Sequence, residues 1–98
     1  MNGQRSPLFY MANLGSEVRR YLNCLQQSDK VGQDQSWQRI LKIFADSQSS
    51  GAGEAQIKET RLLIDFLEPA NLAGVDLVKV SKEFQAYFGP FASRLLKS

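Results

Sequence analysis

The feature that most constrains this chain is a set of apolar stripes at the spacing of an α-helix. The clearest stripe follows the spacing i, i+3, i+4, i+7 and consists of Trp37, Ile40, Leu41 and Phe44. That spacing places all four side chains on one helical face, so we expect the stripe, Trp37 included, to be buried in a core. Three further stretches repeat the pattern, and none alternates apolar and polar residues as a β-strand does. The sequence therefore predicts an all-α fold, a small bundle of four main helices plus a short C-terminal helix, with residues 1–98 as a single domain.

Capping and breaking residues predict where the first three helices lie. Ser6 and Pro7 are typical of a helix start, with serine as the N-cap and proline at the first helical position. Gly15 inside that helix has two interpretations: either the helix starts later, or the missing side chain lets another helix approach closely. The second helix is predicted over residues 33–46, and the third over residues 54–68, where a proline follows.

The last part of the chain is predicted to form a fourth helix and a short closing one. Asp76 is a suitable N-cap for the fourth helix. Gly89 and Pro90 are expected to end it, because proline cannot donate a backbone hydrogen bond and clashes with the preceding turn. Residues 91–96 then form the short C-terminal helix.

Several classes of chemistry lack their usual residues in this sequence. The chain has no histidine, which is the commonest general base and metal ligand. It has one cysteine, Cys24, so a four-ligand zinc site built on thiolates and imidazoles is excluded. No glycine-rich phosphate loop is present. We therefore expect a non-catalytic protein with no catalytic, cofactor-binding or metal-binding residues and no cofactor, in which Cys24 is a small filler rather than a reactive thiol.

The sequence also favours a cytoplasmic location. A single cysteine allows no intrachain disulfide, as is usual in a reducing compartment. Residues 1–5 are polar, so no secretory signal is expected. No apolar run is long enough for a membrane span.

One segment resembles a DNA-binding motif. LAGVD at 72–76 and VSK at 80–82 resemble the turn and recognition helix of the lactose-repressor type of helix-turn-helix. The resemblance implies that Lys79, Ser81 and Lys82 contact DNA. A net charge of only +2 and the acids that alternate with the cations favour solvated helix faces instead, so a small nucleic-acid-binding regulator is the alternative function.

A second resemblance concerns both ends of the chain. Residues 12–18 and 87–94 are similar to the terminal segments of uncharacterised small bacterial all-helical proteins of about this length. The similarity implies an all-α fold and a bacterial cytoplasmic setting, and it implies no activity. Within it, Tyr87, Phe91 and Arg94 combine two aromatic rings with a cation, the residue types favoured at contact hot spots. The competing interpretation is that the two rings simply close the core.

The third helix has more apolar surface than one core contact uses. Leu62 and Phe66 widen its apolar arc past half the circumference and point away from the predicted core. The polar side of the same helix carries two acid–base pairs at i, i+4: Glu54–Lys58 and Arg61–Asp65. We expect Leu62 and Phe66 to bind a protein partner or a second copy in a homodimer, unless the C-terminal helix covers the same flank. The leading prediction is a module for oligomerisation or partner binding.

Overall fold

The computed structural model describes residues 6–97, and every regular element in that range is an α-helix. The helices are α1 (Pro7–Gln26), α2 (Lys30–Ser47), α3 (Glu54–Phe66), α4 (Pro69–Leu72) and α5 (Leu77–Lys97). The predicted all-α bundle with four main helices is confirmed. Residues 1–5, where no secretory signal is expected, lie outside the described residues. Within the described part, no helix is both long and apolar enough to cross a lipid bilayer.

Helix α1 is the central helix of the bundle and packs along both α2 and α5. Its predicted start is confirmed, because the Ser6 hydroxyl accepts a hydrogen bond from the Phe9 amide at 3.2 Å. Gly15 lies where α5 approaches α1 closely: a Cβ atom built there would be 2.6 Å from the Phe88 Cβ. The glycine therefore serves helix contact rather than marking a later helix start.

The four long helices alternate in direction along the chain. Helices α1 and α2 form a hairpin whose turn places Ser28 in the left-handed region, at a φ of 57°, and Asp29 caps α2 by accepting from the Gly32 amide at 3.0 Å. At the far end of α1, the Gln26 side chain donates to the Leu77 carbonyl at 3.4 Å, so α5 runs antiparallel to α1.

Helix α3 joins the bundle through side chains that meet α1. The Tyr21 hydroxyl donates to the Leu67 carbonyl at 2.6 Å, and the Thr60 hydroxyl lies 3.8 Å from the Met11 sulfur. Thr60, Ile64 and Leu67 are all buried. The buried apolar residues form one cluster drawn from all five helices and the turn after α3: Met11, Leu14, Val18, Tyr21, Leu22, Ile40, Ile64, Leu67, Leu72, Val80, Phe84 and Phe88.

Two details of the sequence prediction are wrong. Helix α5 continues through Gly89 and Pro90, and the short helix lies at Pro69–Leu72 instead of at the C-terminus. Proline removes only one helical hydrogen bond, and the rings of Phe88 and Phe91 on its two sides lie 6.5 Å apart, so packing holds the helix together across it.

The Trp37 stripe is also less buried than predicted. Ile40 is fully buried, but Trp37 and Phe44 are only partly buried, and Leu41 is exposed. The reason is geometric: α2 packs mainly on α1, where the indole ring lies 5.4 Å from the Tyr21 ring at the rim of the contact. One helix neighbour covers only the centre of an apolar stripe.

Candidate protein-binding surface

The side of α3 that points away from the bundle carries exposed apolar groups, and we call it the α3 outer face: Lys58, Leu62, Asp65 and Phe66. Leu62 is 70% exposed and Phe66 is 43% exposed, while Ile64 between them is 5% exposed. Residues three and four apart are neighbours on a helix, so Lys58 and Asp65 both border Leu62. Leu62 therefore lies where the sequence predicts it, on the side away from the core. Phe66 points away only in part, because its ring stacks on the buried Phe84 ring at 6.2 Å.

Four rings of α5 continue from Phe66 of α3 into a row, of which Phe84 and Phe88 are buried. We call it the aromatic row: Phe66, Phe84, Phe88, Tyr87 and Phe91. Successive ring centroids lie 5.0–6.2 Å apart, a normal range for favourable aromatic contacts. The Arg94 guanidinium lies 5.6 Å from the Phe91 centroid and extends the row with a cation–π contact. The row therefore connects four of the five predicted partner-binding residues, and Leu62 lies one turn before Phe66 on α3.

Tyr87 links the aromatic row to α3 by a hydrogen bond. Its hydroxyl donates to the Glu59 carboxylate. Partial burial, and then the hydrogen bond and charge of Glu59, raise the pKa of the Tyr87 phenol well above its usual range, so it remains a donor at physiological pH. Tyr87 is partly buried and Phe91 packs against the core cluster. Both rings therefore help to close the core while keeping part of their surface at the α3–α5 seam.

The other flank of α3 faces α2 and is held by a cation–π contact. The Arg61 guanidinium lies 5.7 Å from the centroid of the Phe44 ring. Among the described residues, neither of the two predicted acid–base pairs of α3 forms; the ion pairs lie on α1 and α2. Sequence spacing could not reveal this, because the position of Phe44 depends on how α2 packs.

The residues of the alternative prediction are not all on the surface. Lys79 and Lys82 are exposed at the start of α5, but Ser81 between them is buried, and its hydroxyl accepts a hydrogen bond from the Gln85 side chain at 3.1 Å. The predicted cap of this helix is present: the Asp76 carboxylate accepts from the amides of Val78 and Lys79. Helix α4 before it has four residues. Of the three residues of the alternative prediction, Lys79 and Lys82 are therefore the two that are placed to contact phosphates.

Cys24 lies on α1 at the turn into α2 and is partly buried. Its thiol lies 3.8 Å from an Asp29 carboxylate oxygen. Partial burial, and then the Asp29 charge, raise the pKa of the thiol, which lowers its nucleophilicity at neutral pH. Within the described range, no group of three or more cysteine, aspartate or glutamate residues is arranged to hold a metal ion.

An open groove of about 250 Å³ lies between α1 and α5, and the sequence analysis did not anticipate it. Small side chains on both helices create the groove. In the sequence, Gly15 and Gly89 were the signals that could have indicated it. Arg19 is the only charged residue in its lining, which consists of Ala12, Gly15, Ser16, Arg19, Gln85, Phe88, Gly89 and Ala92.

Comparison with known proteins found no matching family model, curated protein or solved structure for this chain.

Proposed function

We propose that this protein is a non-catalytic module that binds another polypeptide through the α3 outer face and the partly exposed end of the aromatic row, Tyr87 and Phe91 with Arg94. The observation that carries the proposal is the division of α3 into two apolar sides. One side is buried in the bundle, and the other exposes Leu62 and Phe66 beside each other at 70% and 43%. Removing apolar side chains from water lowers the free energy, so such a surface favours association.

The composition of the seam also supports protein binding. Interfaces are enriched in aromatic residues and arginine, and their energetic centres are dominated by those types. Phe66, Phe91 and Arg94 provide such groups on α3 and α5. A preorganised helical surface loses little conformational entropy on binding. The cytoplasm of a bacterium, where one unpaired cysteine stays reduced, is the setting we propose for this binding.

A photo-crosslinking amino acid at position 62 tests the proposal in the cell that makes the protein. We expect a discrete adduct whose second component can be identified by mass spectrometry. Position 31 is a matched control, because Val31 is 68% exposed and lies on α2; a crosslinker there should give no adduct. If position 62 gives no adduct, or the same adducts as position 31, the α3 outer face is not a binding surface.

Nucleic-acid binding remains the alternative, and it rests on the exposed Lys79 and Lys82. If these lysines contact phosphates, affinity for duplex DNA falls steeply with salt, and removing either lysine lowers the log–log salt slope by about one unit. Binding through an apolar face is nearly independent of salt. A binding titration at several salt concentrations therefore separates the two functions.

A further inference from the structure

Two charged groups border the exposed Leu62. Lys58 precedes it by four positions and Asp65 follows it by three, and both are exposed. Among the described residues, neither side chain takes part in an ion pair. Asp65 also lies in the last turn of α3, where the helix dipole disfavours an acid. Helix stability alone therefore does not account for this placement of charge.

The other two charges at this level of α3 already have partners within the chain. Glu59 accepts the hydrogen bond of Tyr87 on the α5 side. Arg61 covers the Phe44 ring on the α2 side. The outward side of α3 therefore carries the apolar Leu62 at its centre, the base Lys58 toward the N-terminus of the helix and the acid Asp65 toward its C-terminus.

We propose that the partner is a second copy of this chain, with its α3 antiparallel to the first across a two-fold axis at Leu62. Such an axis puts positions equally far before and after Leu62 opposite each other. Lys58 then lies within one residue, about 1.5 Å along the axis, of the level of Asp65 of the partner subunit. The symmetry forms this pair twice. A parallel arrangement would instead oppose lysine to lysine, so charge selects the antiparallel one.

This inference rests on the proposed function and names the occupant of the same surface. Helix α3 has 13 residues and is about 20 Å long, so one helix pair makes a small interface. Small interfaces give weak, concentration-dependent association. The pairing covers Leu62 with its own copy, and the aliphatic stem of Lys58 lies along the exposed edge of Phe66 of the partner subunit.

Sedimentation velocity of the purified chain, from about 1 μM to about 1 mM, tests the pairing in the range expected of a small interface. We expect a monomer–dimer equilibrium. Lys58→Glu and Asp65→Lys should each weaken the dimer about tenfold, because each puts like charges together twice. The double variant Lys58→Glu, Asp65→Lys restores the opposite charges and should return the dissociation constant to within about threefold of the wild type.

Two further variants distinguish a failure of the dimer proposal from a failure of the proposed binding surface. Leu62→Glu should give a folded monomer by circular dichroism, and Val31→Glu, the matched control on α2, should dimerise as the wild type does. A wild type that is monomeric throughout, or a charge exchange that fails to restore dimers, overturns the pairing; an adduct with another protein at position 62 would then still support the proposed function. If Leu62→Glu unfolds at low concentration, the surface is core and both proposals fail.

Discussion

At the scale of single residues, Tyr21 joins three helices at the centre of the bundle. Its ring is fully buried against α2 near Trp37, and its hydroxyl donates to the Leu67 carbonyl at the end of α3. Burial, and then the charges of Glu68 and Asp34, raise the pKa of Tyr21 to about 12. A neutral phenol is therefore part of the folded state, and ionising it opposes folding.

Tyr21 should make stability depend on alkaline pH. The folded pKa of about 12 lies above the ordinary pKa of tyrosine, 10.0, so the stabilisation is complete below pH 10 and is lost as pH rises toward 12. Two pKa units correspond to about 2–3 kcal/mol. Tyr21→Phe should cost about 1–2 kcal/mol at neutral pH by leaving the Leu67 carbonyl unpaired, and it should flatten the alkaline fall in unfolding free energy. Denaturant titrations at a series of pH values measure both effects. If the unfolding free energies of the wild type and Tyr21→Phe fall equally between pH 10 and 12, Tyr21 is not the cause of the pH dependence.

Gly15 and Gly89 make a matched pair for testing the closeness of α1 and α5. A Cβ at Gly15 would be 2.6 Å from the Phe88 Cβ, whereas a Cβ at Gly89 would meet no atom of another helix within 4 Å. Gly15→Ala should therefore destabilise the protein by about 1–3 kcal/mol, because α5 must shift. Gly89→Ala should change the stability by less than about 1 kcal/mol, because the gain in helix propensity is opposed by the contact of the new Cβ with the following proline ring. Chemical denaturation compares them, and equal effects would mean that the two helices are not in close contact.

At the scale of the helices, α5 was the element that local sequence signals described least well. Gly89 and Pro90 are reliable breakers in an isolated peptide, and the sequence analysis ended the helix there. The aromatic row on both sides of Pro90 outweighs that local preference through tertiary contact. Local signals were sufficient at the helix starts, because a cap acts within one turn: Ser6 and Asp76 both cap as predicted.

Because α5 continues through Pro90, the proline should cost stability that an alanine would restore. Pro90 is exposed and cannot donate the backbone hydrogen bond to residue 86. Pro90→Ala should raise the unfolding free energy by about 1–3 kcal/mol. Denaturant unfolding followed by circular dichroism measures the change. A loss of stability would mean that the bend at Pro90 is needed for the contact between α5 and α1.

At the scale of the whole molecule, the sequence predicted the bundle and the exposed position of Leu62, since both follow from helical periodicity. It did not predict which charges would stay unpaired. Lys58 and Asp65 are the charges left on the α3 outer face because Arg61 contacts Phe44 and Glu59 accepts the hydrogen bond of Tyr87. Both contacts depend on how α2, α3 and α5 pack. The partial exposure of Trp37 has the same origin. Periodicity predicts that a side chain faces a neighbour, but not how much of it the neighbour covers.

The central claim is that α3 has an inner side that holds the bundle and an outer side left for a partner. The most direct test compares the unfolding free energies of Leu62→Gln and Ile64→Ala, two positions apart on α3, at a concentration where the chain is monomeric. Leu62 is 70% exposed and Ile64 is 5% exposed. We expect Leu62→Gln to change the unfolding free energy by less than about 0.5 kcal/mol and Ile64→Ala to lower it by about 2–5 kcal/mol. A loss at Leu62 as large as that at Ile64 would contradict the claim.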